Sequence, residues 1–332
     1  MDELIIRTEN LCKSYIAVDY DVKGIRRFTK EGKKKIHALE NLNLEIAPGE
    51  LVGLIGANGA GKSTSIKLLT GILHPTSGNV FTFGRDPARF RRKNADRIGV
   101  MMGQRSQLWW DLPALDSFQL YARMYGVKKE EYQPRLEEFN RILDCESFWD
   151  RPVRQLSLGQ RMRCEMIAAL IHAPSLVFLD EPTIGIDILA KERILEFIGQ
   201  LNRKKGMTVI LTTHDIGDMG KLAEHIVILD RGRTVYDGSR ESLLKFNRYE
   251  RIAFCFSSPV NQEEIMKRYP GCRFENAFQA VFINDNRIAS ASALIGEIIA
   301  AYPVADINII KADIESVVKQ IYKDGEWKGE AE

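Results

Sequence analysis

LVGLIGANGAGKST, residues 51–64, decides the reading of the chain. Residues 51–56 are a nearly all-apolar run stopped by glycines, the pattern of a buried parallel strand. Gly56, Ala57, Asn58, Gly59, Ala60, Gly61, Lys62 and Ser63 then match GxxxxGK[ST], and a helix is expected over 62–73, ended by Pro75 and Gly78. Glycines let backbone wrap closely around phosphate, and the free N–H groups of a helix N-terminus face the anion. In the loop from Gly56 to Thr64, Lys62 is expected to neutralise the β- and γ-phosphates and the Ser63 hydroxyl to ligate Mg²⁺. By itself this loop establishes phosphate binding and leaves the activity open.

Downstream, LVFLDE (176–181) is an apolar strand ending in two adjacent carboxylates. Strand alternation sends their side chains in different directions, so Asp180 is expected to support the Mg²⁺ shell and Glu181 to face the γ-phosphate and polarise water. MTVILTTH (207–214) is a further buried strand, and His214 stands at its end after Thr212 and Thr213. Short strands are expected at 3–7, 41–46 and 79–83, a helical region over 107–172, a helix over 188–203, and a strand pair over 225–238. Strands alternating with helices imply a largely parallel sheet covered by helices.

LSLGQ (156–160) stands about twenty residues before Asp180 and opens a helical pattern. At this point the chain resembles the ABC ATPase family, over roughly residues 4–240. The resemblance implies an α/β P-loop NTPase of ABC type, with a mostly parallel core, an antiparallel β subdomain and a helical signature subdomain at about 105–172. It implies ATP and Mg²⁺ as cofactors and a signature loop, Ser157, Gly159 and Gln160, that meets the γ-phosphate held by a second subunit. Leu158 replaces the middle glycine of the family's LSGGQ. The resemblance further assigns Gln104 to sensing Mg²⁺ and water, with Gln107 as a substitute. It gives Tyr15 the adenine stack, with Tyr20 and Phe28 as stand-ins, Asp187 the D-loop, and His214 the switch beside the catalytic Glu181. Mg²⁺ would be served by Ser63, Gln104 and Asp180. Implied partners are a second copy or a homologous ATPase subunit, and separate transmembrane permease subunits; no nucleic acid is expected.

Bulk properties agree with a protein that works through partners. The 332 residues carry 47 basic and 45 acidic side chains, a net charge of +2, so no global field favours nucleic acid or an anionic surface. Five dispersed cysteines form no CxxC pair, against a disulfide framework or a zinc site. Acidic residues stand where a signal peptide needs positive charge, and no stretch approaches the roughly 18 apolar residues of a membrane span. The expected place is therefore the cytoplasmic face of a membrane, held by a permease.

After an ATPase domain of residues 1–244, the pattern over 245–325 reads βαββαβα, a small ferredoxin-like α+β domain, followed by a loose tail at 326–332. Residues 23–35 hold Lys23, Arg26, Arg27, Lys30, Lys33, Lys34 and Lys35 against Glu31 alone, within an insertion at about 20–36. They read as a solvated loop, or as a contact for anionic headgroups or an acidic partner. Trp109 and Trp110 read equally as core or as an interface anchor. One ATPase domain with a short appendage resembles the ABC-2 exporter subunits. The alternatives are an importer with a regulatory C-terminal domain and a soluble, non-transport ABC ATPase.

Overall fold

The computed structural model describes residues 4–18, 33–103, 106–213, 215–245, 249–285, 290–310 and 314–324. Gln104, His214, Tyr20, Phe28 and the basic residues Lys23 to Lys30 lie outside the described residues. The chain divides into two compact units, Met1–Ser239 and Arg240–Glu326.

The first unit is organised by a six-stranded sheet of order β5-β6-β7-β3-β8-β9. Its strands are β3 (Leu51–Gly56), β5 (Ile98–Met102), β6 (Leu176–Asp180), β7 (Thr208–Thr213), β8 (His225–Asp230) and β9 (Arg233–Ser239). All but β9 run parallel. Every residue of β3 is buried, because the strand lies inside the sheet with both faces covered. Register sets Asp180 beside Thr212, and Ile55 beside Thr213, so the carboxyl ends of β3, β6 and β7 finish side by side. In open parallel sheets that edge is where ligands bind.

A second, three-stranded antiparallel sheet has the order β2-β1-β4, from β1 (Ile6–Val18), β2 (Lys33–Ile46) and β4 (Ser77–Thr82). Here the structure departs from the short strands expected at 3–7 and 41–46. β1 and β2 form a ribbon of 13 and 14 residues, and Lys33, Lys34 and Lys35 are strand residues opposite Val18, Ala17 and Ile16. Pairing with a distant segment satisfies the backbone of a polar stretch that shows little alternation by itself.

Helix α1 (Lys62–Leu69) ends sooner than expected. Thr70 Oγ1 donates to Ile66 O at 2.8 Å, and Gly71 turns left-handed at φ 72°. α2 (Arg91–Ala95) precedes β5. The single helical region expected over 107–172 is three helices, α3 (Ala114–Met124), α4 (Lys129–Leu143) and α5 (Leu158–Leu170), with a 3-10 turn at Val153–Gln155. Pro113, Gly126 and Pro152 stand at the breaks. Helix α6 (Ile188–Lys205) and the short α7 (Ile216–Leu222) complete this unit.

The second unit contains α8 (Arg240–Lys245), β10 (Tyr249–Phe256), α9 (Gln262–Arg268), β11 (Cys272–Asn276), β12 (Gln279–Asp285), α10 (Ala291–Ala301), β13 (Val304–Ile310) and α11 (Ile314–Asp324). Its antiparallel sheet has the order β11-β12-β10-β13, the split βαββαβ arrangement. Ile252, Phe254, Phe256 and Phe282 form one face, packed with Ile265 and Ile298 from α9 and α10.

Candidate functional site

At the carboxyl edge of the parallel sheet lies a cleft of about 1050 Å³. Its walls include Asn58, Gly59, Gly61, Lys62, Ser63 and Thr64, with Gly103 beyond β5 and Asp180, Glu181 and Ile184 at the end of β6. The loop is shaped by steric limits. Gly61 caps α1 at φ 108°, and a Cβ there would stand 2.7 Å from the Ala38 carbonyl oxygen. At Gly56 a Cβ would meet Leu229 O at 2.7 Å. Ala60 belongs to the hydrophobic core, and its carbonyl accepts from Gly232 N–H at 3.0 Å.

Lys62 is 6% exposed. Its ammonium donates to Gly56 O at 2.7 Å and Ala57 O at 3.2 Å. Burial lowers its pKa, against the opposing pull of Glu181 and Asp180. Asp180 is fixed from two sides: Ser63 Oγ donates to Oδ2 at 2.8 Å and Thr212 Oγ1 to Oδ1 at 2.6 Å. Glu181 adopts φ 52°, a left-handed conformation unusual for this residue type. That turn is supported by Thr212, whose carbonyl and hydroxyl oxygens accept from Glu181 N–H at 3.1 and 3.0 Å. The strained turn swings Glu181 out of the strand direction.

Thr212 is a part of the site that the sequence reading passed over. In sequence it stands out only as one of two adjacent threonines after the apolar residues 209–211. Gly103 is another: its N–H donates to Asp180 O at 3.0 Å, and a Cβ would approach that oxygen to 2.6 Å.

The signature residues do not line this cleft. Ser157 caps α5 in a capping box: Gln160 N–H donates to Ser157 Oγ at 3.2 Å, and Ser157 N–H to Gln160 Oε1 at 2.9 Å. The helix begins at Leu158, inside LSLGQ itself. Asp187 caps α6, its Oδ1 accepting from Ala190 N–H at 2.9 Å. A Cβ on Gly159 would stand 3.5 Å from Asp187 Oδ2, so the two caps lie together. Tyr15 also lies outside the cleft lining; it pairs with Ile36, half-exposed, with the Lys13 ammonium 5.4 Å from its ring centroid. The structure thus gathers Lys62, Ser63, Asp180 and Glu181 into one cleft and sets Ser157, Gly159, Gln160 and Asp187 into a second cluster. Trp109 and Trp110 are surface residues, 39% and 51% exposed, while Leu108 is core.

A backbone cradle, an ammonium and a hydroxyl–carboxylate pair at one edge of a parallel sheet suit a nucleoside triphosphate. Residues 39–184 match the family model described as ABC transporter. "ABC transporter ATP-binding protein NatA" of Bacillus subtilis is 32% identical over 71% of this chain and 95% of its own length. The chain belongs to the ABC transporter ATP-binding family. It is therefore an ATP-binding, ATP-hydrolysing subunit of a transporter. "Methionine import ATP-binding protein MetN" of Geobacillus kaustophilus is 31% identical over 91% of this chain and 89% of its own. "Nod factor export ATP-binding protein I" of Cupriavidus metallidurans is 35% identical over 62% and 67%. Among solved structures, a dimeric post-hydrolysis ATP-binding cassette bound to ADP and Pi is similar, with a TM-score of 0.59 and 28% identity. It covers 70% of this chain and 98% of that one. Among the described residues no helix is long and apolar enough to cross a membrane.

Proposed function

We propose that this ABC ATPase subunit hydrolyses ATP as one half of a head-to-tail pair and drives a separate permease. The carrying observation is the chain Ser63–Asp180–Thr212, which fixes the carboxylate, with Glu181 turned away beside it. Backbone N–H groups of Gly59 to Ser63 and the Lys62 ammonium hold the β- and γ-phosphates. Ser63 and Asp180 are hard oxygen donors that would hold Mg²⁺, which would neutralise charge on the phosphates. Glu181 takes the proton of the attacking water, and His214 and Gln104 complete the water's surroundings. Ser157, Gly159 and Gln160 start α5 away from the lining of their own cleft and would meet the γ-phosphate of a partner copy, and Asp187, against Gly159, supports that contact. Tyr15 supplies the aromatic face for adenine.

Losing the γ-phosphate removes the contact shared by both subunits, and the pair opens. Exposed Trp109 and Trp110 offer an anchor for the permease, which would hold the chain at the cytoplasmic face of the membrane. Replacing Glu181→Gln is expected to leave ATP binding intact, reduce turnover by about 10³-fold and accumulate an ATP-bound dimer in size-exclusion chromatography. Turnover near wild type would remove Glu181 from the base role.

For direction, the export reading rests on a single cassette with a short appendage and on the Nod factor export relative. A second reading, import, is favoured by the methionine import relative, whose match spans 91% of this chain and so reaches into the second unit. Purification from gently solubilised membranes separates them: a permease recovered with a solute-binding protein supports import, and one without it supports export.

A further inference from the structure

Residues Ser106, Gln107 and Leu108 join the end of β5 to α3, and one buried side chain from α5 receives them. Glu165 is 3% exposed. Its carboxylate accepts from the Ser106 hydroxyl and from Gln107 N–H, at 3.1 and 3.0 Å to its two oxygens, while Leu108 N–H donates to Ser106 Oγ at 3.2 Å. Burial pushes its pKa up, while these donors and Arg161 pull the other way. Gln107 is tied on two further sides: its side-chain amide donates to Val100 O on β5, and its carbonyl accepts from Tyr121 OH at 2.7 Å. Immediately beyond, Trp109, Trp110 and Leu112 are 39%, 51% and 45% exposed.

A carboxylate is costly to bury unless its oxygens are filled. Here they are filled almost wholly by one short segment, so the segment and the helix hold each other in one arrangement. Glu165 lies two helical turns beyond the Ser157 cap, roughly 12 Å along the same rigid helix. A displacement of the cap therefore displaces the carboxylate, and the segment must follow or lose its hydrogen bonds. Ser106 and Gln107 join the ends of this linkage to a surface that is apolar and exposed.

We propose that Glu165 is a positioning residue that makes residues 106–112 move with α5, so that phosphate contact at Ser157 and Gly159 is carried to the exposed aromatic surface. The proposal rests on the reading of Ser157 and Gly159 as phosphate-contacting residues. Glu165→Gln keeps the volume, but sets an amide N–H₂ where a second acceptor oxygen stood.

The test uses the full chain carrying Glu181→Gln, with and without Mg–ATP, followed by hydrogen exchange over 157–163 and 106–112. Trinitrophenyl-ATP reports nucleotide affinity. In this parent, Mg–ATP is expected to slow exchange about fivefold or more in both stretches. Adding Glu165→Gln should leave affinity within about twofold and the response at 157–163 intact, and abolish the nucleotide-dependent change at 106–112. Ser106→Ala, at the segment's own end, should weaken that change and serves if Glu165→Gln folds poorly. The nucleotide-dependent difference, not absolute protection, is the readout, because a merely structural role would leave it in place. A response at 106–112 equal to the parent's in both variants overturns the proposal, as does a parent that responds only at 157–163. If the parent binds nucleotide and responds in neither stretch, the phosphate reading of Ser157 and Gly159 fails, and the proposal falls with it.

Discussion

Ser63 Oγ donates to Asp180 Oδ2 at 2.8 Å, across 117 positions of sequence, and Thr212 Oγ1 holds the opposite carboxylate oxygen at 2.6 Å. Three strands and a helix start are needed to place these four oxygens together. Ser63→Ala is expected to weaken Mg²⁺-dependent ATP binding about tenfold, roughly 1.4 kcal/mol, with little effect on binding without metal. Thr212→Val should lower turnover while leaving the fold cooperative, since Asp180 keeps its Ser63 bond. Titrations with fluorescent nucleotide, with and without Mg²⁺, and steady-state kinetics check both.

The loop tolerates little at Gly61. Its φ of 108° is reached by few residues other than glycine, and an added Cβ meets Ala38 O at 2.7 Å. Gly61→Ala is expected to destabilise the first unit by about 1–3 kcal/mol and to abolish nucleotide binding. A thermal melt with and without ATP reads both effects. A variant that still gains stability from ATP would show that the left-handed turn is not required.

Lys191 on α6 donates to Asp215 and lies 2.8 Å from Asp218 Oδ2, joining α6 to the start of α7. Its burial alone would lower its pKa, but bonds to the two aspartates raise it, and Lys191 correspondingly holds Asp215 low. Lys191→Met removes the cation and leaves the 7%-exposed Asp218 carboxylate without it. The expected loss is about 1–3 kcal/mol of stability, measurable by urea unfolding. Asp218→Asn in the same background should recover part of it.

His225 joins the sheet's other end, with Nδ1 2.8 Å from Glu50 Oε2 and Nε2 2.6 Å from Asp237 Oδ1. The hydrogen bond to Asp237 leads, with Glu50 adding and burial opposing, and the pKa rises from 6.5 to about 8. The folded state thus holds the proton more tightly than the unfolded chain. Its stabilisation is complete below pH 6.5 and is lost as pH rises through about 8. The carboxylates are about a third exposed, so the effect is expected at about 1 kcal/mol. Denaturant midpoints at pH 6 and pH 9, for wild type and His225→Gln, should converge at the higher pH.

The buried strands 51–56 and 176–180 were readable because each is a nearly unbroken apolar run, and Ser157 and Asp187 through their motifs; that both cap helices came with the structure. Thr212 was not readable as an anchor of Asp180, since its partner is fixed by strand register. The long β1–β2 ribbon escaped notice because its polar ends are stabilised by each other. Likewise, Glu165 looks in sequence like an ordinary helix-surface acid; only the fold brings Ser106 and Gln107 onto it.

The sequence by itself determined the phosphate loop, the paired carboxylates, the signature at the start of a helix and the succession of strands and helices. These are set by neighbours a few residues apart: glycine's conformational freedom, apolar periodicity and capping. Tertiary structure decided which of these groups share a cleft. Ser63, Asp180, Glu181 and Thr212 meet in one place, while Ser157, Gly159 and Asp187 gather in another. The reason is physical: strand order and register in a parallel sheet are fixed by packing both faces, and no local pattern encodes which strand lies beside which.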